Sequence, residues 1–263
     1  MLIIGLKFHN LKQQKTQRLF WIGFLVLSLS FFSSCEKDES SSITAVQPIS
    51  QKPLGKILPL GASRVKGDRP NYESYRYELW KLLVDENYDF DFIGTVKDPG
   101  NYPDYAGLFF DKDHEGHGGW KTSDILDNLT LILEETGVPD IVLLSSPGGN
   151  DALLGVDYNE ILANINSIID TLQGINPEVI IIIEKQAPAR STAMTPELNQ
   201  LFNSLLAGVH NIALYQSNSF SNVITVDLAT GFNDSLIQDN IHYNQAGAKF
   251  VANRYFEVIE GLP

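Results

Sequence analysis

The stretch Lys56-Ile57-Leu58-Pro59-Leu60-Gly61-Ala62-Ser63 sets a short apolar run directly before a glycine and a serine. Apolar runs of this length closed by a turn signal read as buried strands. Working outward, the same pattern recurs at 141–145, 179–184 and 223–227, each run followed by a loop and then a helical period. A fifth run, 90–96, is interrupted by acidic residues and reads as an edge strand. Apolar positions three and four apart mark helices between the runs: Tyr72, Tyr75, Leu79, Leu82 and Leu83 in one, Ile125, Leu126, Leu129, Ile132 and Leu133 in another. Asp157 with Glu160 forms a capping-box-like start for a third helix running towards Asn176. Thr195-Pro196 starts a fourth, carried by Leu198, Phe202, Leu205, Val209 and Ile212, and Asn244 caps a last one through Phe250, Val251 and Tyr255. Strand and helix alternation implies right-handed crossovers and a sheet covered on both faces. The sequence therefore predicts a three-layer α/β/α sandwich around a five-stranded parallel sheet, spanning 54–263 without internal repeats.

Composition narrows the function. The 263 residues are 43% hydrophobic and 19% charged, which suits a packed core and excludes extended disorder. Thirty-two acidic against 19 basic residues give a net charge of -13, which repels phosphate backbones and argues against nucleic acid as a partner. The single cysteine, Cys35, excludes an internal disulfide and a multi-cysteine metal site.

In a parallel sheet of this kind ligands bind at the carboxyl ends of the strands, so chemistry belongs in the loops that follow them. Three such loops carry Gly61-Ala62-Ser63, Pro147-Gly148-Gly149-Asn150-Asp151 and Asp239-Asn240-Ile241-His242. A serine hydroxyl is a weak nucleophile unless an imidazole takes its proton, and that imidazole needs an acceptor on its other nitrogen to fix the tautomer. Asp239 and His242, three residues apart, can meet within one turn and leave Nε2 to face Ser63. The Asn150 amide and backbone N–H groups of Ser63 and a glycine could supply the donors for an oxyanion.

With these residues on the page, the chain resembles the SGNH (GDSL-type) hydrolases, named for a serine, a glycine, an asparagine and a histidine in four ordered blocks. Gly61-Ala62-Ser63, Gly118-Gly119-Trp120, Gly148-Gly149-Asn150-Asp151 and Asp239-Asn240-Ile241-His242 match those blocks in order. The resemblance implies a flavodoxin-like sheet, Ser63 as nucleophile, His242 as base and then acid, Asp239 as its orienter, and an oxyanion hole from Ser63 N–H, Gly119 N–H and the Asn150 side chain. The doubled glycine leaves Gly118 open as the alternative. The stretch Asp113-His114-Glu115-Gly116-His117-Gly118-Gly119-Trp120 looks most like the carbohydrate acetylesterase branch. Ala62 stands where the family generally carries an aspartate, which bears on rate and geometry and removes no triad member.

Other residues have competing readings. Asp111, Asp113, His114, Glu115 and His117 offer metal-ligand chemistry within seven positions, yet without a recognised zinc spacing, and read better as a hydrogen-bonded loop presenting the oxyanion glycine. Trp120, Tyr102 and Tyr105 suit either stacking on a sugar ring or packing beneath the loop. His210 reads as structural, and Asp151 as the shaper of an Asx turn.

At the amino terminus, Lys7, Lys12, Lys15 and Arg18 precede an uncharged apolar run over 19–34 that ends at Ser33-Ser34-Cys35. This is a signal-peptide layout, and the run is shorter than a spanning helix needs. It resembles a bacterial lipoprotein precursor with Cys35 as the acylated residue, although Phe32 replaces the usual aliphatic. A plain transmembrane anchor is the alternative. Residues 1–34 are expected to be the signal peptide and 35–53 the acylated cysteine and a flexible linker. Cleavage would remove four basic and no acidic residues, taking the charge from -13 to -17. The expected protein is exported, membrane-anchored in the cell envelope, and acts on a small-molecule or glycan ester. It would be a serine esterase removing small acyl groups, acetyl foremost, from carbohydrate, with no metal or organic cofactor. Lysophospholipase or thioesterase activity on longer chains, and a weakly active carbohydrate-binding lipoprotein, are the rivals.

Overall fold

Ten residues long, strand β1 (Lys52–Gly61) is exposed over its first half and buried from Ile57 to Gly61, so its inner end is the one that packs. The computed structural model describes residues 51–262; the expected signal peptide, Cys35 and most of the linker lie outside the described residues. Lys52 and Pro53, assigned to the linker, instead pair with Tyr88 and Asp89 as part of β1. The remaining strands are β2 (Tyr88–Phe92), β3 (Val96–Lys97), β4 (Asp113–Gly116), β5 (Ile141–Leu144), β6 (Ile180–Lys185) and β7 (Val223–Asp227).

Five of them run parallel in the order β2-β1-β5-β6-β7, the flavodoxin-like arrangement, with β2 at an edge as expected. Two short strands enlarge the expected five to seven. β4 lies parallel to β1 where Leu60 and Gly61 pair with Glu115 and Gly116, and β3 runs antiparallel to β4. Asp113-His114-Glu115-Gly116, expected in a hydrogen-bonded loop, form a strand although polar residues are poor strand formers. Neighbouring strands override that preference here, and His114 and Glu115 are fully buried.

Side chains alternate between two cores, as strand geometry demands. Leu58, Leu60, Val142, Leu144, Ile181 and Ile183 pack on one face against α3 (Thr122–Thr136), α5 (Tyr158–Ile175) and α6 (Pro196–Gln216). On the other face Ile57, Ile141, Leu143, Ile182 and Val226 meet α2 (Arg76–Asp85) and α7 (Gln245–Glu260). Two one-turn helices, α1 (Ser63–Lys66) and α4 (Gly149–Leu153), follow β1 and β5. Burying each such Leu or Ile contributes roughly 1.5–3 kcal/mol, so the sheet interior is the main source of stability.

The helix starts follow the local chemistry. Asp157 accepts from the backbone N–H of Asn159 and Glu160 at the start of α5, Thr195 from Leu198 N ahead of Pro196, and Asn244 from Gly247 N at the start of α7. Each such cap is worth about 1 kcal/mol. The second helix departs from expectation, since it begins only at Arg76 and leaves Tyr72 in the preceding loop. Among the described residues, no helix is long and apolar enough to cross a membrane.

Candidate active site

β1 delivers Ser63 to the carboxyl edge of the sheet. Gly61 is needed there because a Cβ would sit 2.8 Å from the Ser145 carbonyl oxygen and 2.9 Å from a Val65 methyl. The chain then turns at Ala62 into α1, with Ser63 as its first residue and only half buried. Gly116 permits an equally close approach: a Cβ there would lie 2.4 Å from Lys66 N, against the same helix.

The loop before α7 supplies the partners. Asp239 Oδ1 accepts from the backbone N–H of Ile241 and His242, at 2.7 and 2.8 Å, which closes a tight turn. Its Oδ2 lies 2.7 Å from His242 Nδ1. Partial burial pushes the Asp239 carboxyl up, but the His242 backbone N–H, the His242 ring and the Ile241 N–H outweigh it and hold the pKa at about 2. A carboxylate at Nδ1 keeps that nitrogen protonated and leaves Nε2 as an acceptor. Nε2 is 2.9 Å from Ser63 Oγ. A hydroxyl, an imidazole and a carboxylate are thus joined in series across 179 residues of sequence.

Asn150, on α4, lines the same cleft as Ser63, and its side-chain amide donates to the Trp120 carbonyl at 2.8 Å. Gly118 and Gly119 lie in the exposed turn after β4, with open space where a Cβ would be. Asp151 does not shape an Asx turn. It is buried and accepts from Thr122 N at 3.0 Å and Thr122 Oγ1 at 2.6 Å, tying α4 to the start of α3.

The polar residues weighed as metal ligands disperse to separate partners. Asp111 accepts from Phe92 N, and buried His114 accepts from Gly116 N at Nδ1. Burial foremost, with Arg76 adding to it, pushes the His114 pKa down to about 2, so the ring is neutral. Glu115 accepts from Thr95 N and Thr95 Oγ1 and lies 2.5 Å from His117 Nε2. Among the described residues, no three of His, Cys, Asp and Glu are grouped to hold a metal ion. The His117 ring stacks on Trp120 with centroids 3.7 Å apart, and His117 N donates to the Gly61 carbonyl. Tyr102 and Tyr105 pack away from this turn, among Tyr77, Trp80 and Phe110, and bond to Asp98 and Asp85. His210 is exposed on α6.

Three residues that brace the site were not singled out from the sequence. Arg64, next to Ser63, is buried and donates to the carbonyls of Ile241, Ala187 and Pro188 at 2.7–3.1 Å, binding the serine turn to the histidine loop. Tyr72 stacks on the His242 ring at 3.9 Å, 15° from parallel. Glu184 is fully buried at the end of β6 and accepts from Ser146 N, Ser146 Oγ and Tyr255 OH. Burial pushes its pKa up, and the Tyr255 hydroxyl and the Ser146 backbone N–H offset this only in part. It steadies Ser146, a non-glycine residue at φ +47°, just ahead of Gly148-Gly149-Asn150. A charge closing the apolar run 179–184 at the site end of a central strand was the available signal for Glu184. Arg64 and Tyr72 carried none.

Solved structures of similar build give the class. A family 3 carbohydrate esterase from Clostridium thermocellum is 29% identical, with a TM-score of 0.64 over 80% of this chain and 96% of that one. A carbohydrate esterase of family 3 from Talaromyces cellulolyticus is 23% identical, with a TM-score of 0.67 over 79% and 99%. A lipase/acylhydrolase from Enterococcus faecalis is 16% identical, with a TM-score of 0.57 over 78% and 95%. No family model and no curated protein matches the chain. Its fold and its structural neighbours make this an ester hydrolase of the SGNH type. The chain has the fold of the SGNH (GDSL-type) hydrolases.

Proposed function

We propose that this protein is a serine esterase that removes small acyl groups, acetyl foremost, from carbohydrate by way of an acyl-enzyme. The observation that carries the reading is the unbroken series Asp239 Oδ2, His242 Nδ1, His242 Nε2, Ser63 Oγ, with gaps of 2.7 and 2.9 Å. The likeness to carbohydrate esterases supports the substrate class.

In the proposed course, Ser63 Oγ bonds to the ester carbonyl carbon as its proton passes to His242 Nε2. The resulting oxyanion is held by Ser63 N–H, Gly119 N–H and the Asn150 amide. Collapse breaks the bond to the sugar oxygen, which takes the proton from Nε2 and leaves as the alcohol. Water then attacks the acyl-enzyme, gives a proton to His242 and frees the acid, and Ser63 recovers its proton. Asp239 stays ionised throughout and favours the imidazolium that forms twice in the cycle. No step in this course calls on a metal or an organic cofactor.

The test is hydrolysis of p-nitrophenyl acetate and of acetylated oligosaccharides by the parent and by Ser63→Ala. The reading expects loss of both activities in the variant. Equal rates in the two proteins would overturn it. Export and acylation at Cys35 belong to the same proposal, supported by the apolar run that precedes it. Cys35→Ala is expected to move the protein out of the membrane fraction or leave it unprocessed, and unchanged membrane recovery and processing would contradict acylation.

A further inference from the structure

Beside Ser63 lies a half-open cleft with about 60 Å³ of space inside it. Its polar end holds Ser63 and Asn150, and its wall is mainly apolar: Leu153 from α4, Met194 ahead of α6, Leu198 and Phe202 from α6, and Ile241. Of the residues lining it, none is His242, Asp239 or Tyr72. That asymmetry gives the cleft a direction. A leaving alcohol must lie against His242 Nε2 to receive its proton. A space that touches the nucleophile and Asn150 but not the imidazole is therefore placed for the other substituent of the carbonyl carbon, the acyl chain.

Size then sets a limit. An apolar cavity of ~150 Å³ takes up benzene, with its six carbons. By that measure ~60 Å³ accommodates roughly two to three carbons beyond the carbonyl, more than acetyl uses and far fewer than a fatty acyl chain has. Resting on the esterase reading, we infer that this slot is the acyl pocket, that it accepts chains up to about four carbons, and that Leu198 and Phe202 on α6 close its far end. The two side chains are four residues apart, one helical turn, so they present one face of α6 to the slot. A methylene that enters it leaves water, which is worth about fourfold in kcat/KM, the equivalent of ~0.8 kcal/mol. A methylene that does not fit is rejected.

The experiment is a series of p-nitrophenyl esters from acetate to octanoate, assayed with the parent, Phe202→Ala and Leu198→Phe. For the parent, kcat/KM is expected to hold or rise to butyrate and to fall at least about tenfold by hexanoate. Phe202→Ala is expected to raise the hexanoate-to-acetate ratio about tenfold, and Leu198→Phe to lower the butyrate-to-acetate ratio. Because the two variants are read as ratios of opposite sign, a general loss of folded protein cannot mimic them. A parent that hydrolyses acetate while both variants keep its ratios within twofold overturns the acyl pocket alone. A parent no faster than Ser63→Ala on every ester overturns the esterase reading, and the pocket with it.

Discussion

Two histidine–carboxylate pairs lie within one site, and they have opposite surroundings. The Asp239 side chain is 51% exposed, yet its partner His242 turns Nε2 onto Ser63 Oγ. The Glu115 side chain is 1% exposed, and its partner His117 lies flat against Trp120 while its backbone bonds to Gly61. The residue types are nearly the same. Both rings stack on an aromatic face, His242 on Tyr72 and His117 on Trp120; what separates them is that the second nitrogen of His242 meets the Ser63 hydroxyl. The first pair can move a proton to and from a substrate, whereas the second fixes the turn carrying Gly118 and Gly119 and, through the Trp120 carbonyl, the Asn150 amide. A histidine beside a carboxylate is thus no mark of a base until the far side of the ring is known.

The comparison can be broken by substitution. His242→Ala is expected to lower kcat for acetate hydrolysis by about 10³-fold or more, because Ser63 then has no proton acceptor. Asp239→Asn should cost about 10²–10⁴-fold by favouring the wrong tautomer. If His117→Ala proved as damaging as His242→Ala, the two pairs would not differ in role. Glu115→Gln is expected to lower kcat by roughly 10- to 100-fold with little change in KM, the result of loosening the turn beside Asn150.

The smallest effect concerns stability in acid. The Asp239 pKa in the folded protein, about 2, lies below the ordinary value of 3.8, so the folded state favours the carboxylate. Its contribution is full above about pH 4 and is lost as pH falls towards 2. The difference in Tm between parent and Asp239→Asn should therefore shrink over that interval. A difference that stays constant from pH 6 to pH 2 would mean that the carboxylate is not held by this turn.

Some of this is legible in the sequence because elementary chemistry leaves few choices. Asp157, Thr195 and Asn244 announce helix starts since short polar side chains satisfy free backbone N–H groups there. Ser63, Asp239 and His242 stand out because a hydroxyl, an imidazole and a carboxylate at strand ends are what such a reaction needs, and the structure brings all three into hydrogen-bond reach. The bracing residues are different. Arg64 acts through carbonyls more than a hundred residues away, and a carbonyl leaves no trace in residue type. Glu184 reaches Tyr255 and Ser146 from separate elements, and β4 forms from polar residues only because β1 and β3 flank it. Asp151 departs from the expected Asx turn for the same reason, its partner Thr122 being 29 positions away.

The most direct measurement of the central claim is intact-mass and peptide analysis after treatment with a fluorophosphonate, whose phosphorus a reactive serine attacks with loss of fluoride. One adduct on Ser63 is expected in the folded parent, forming far more slowly in His242→Ala and not at all in Ser63→Ala. A folded parent left unlabelled, or labelled equally well without Ser63, would contradict the account.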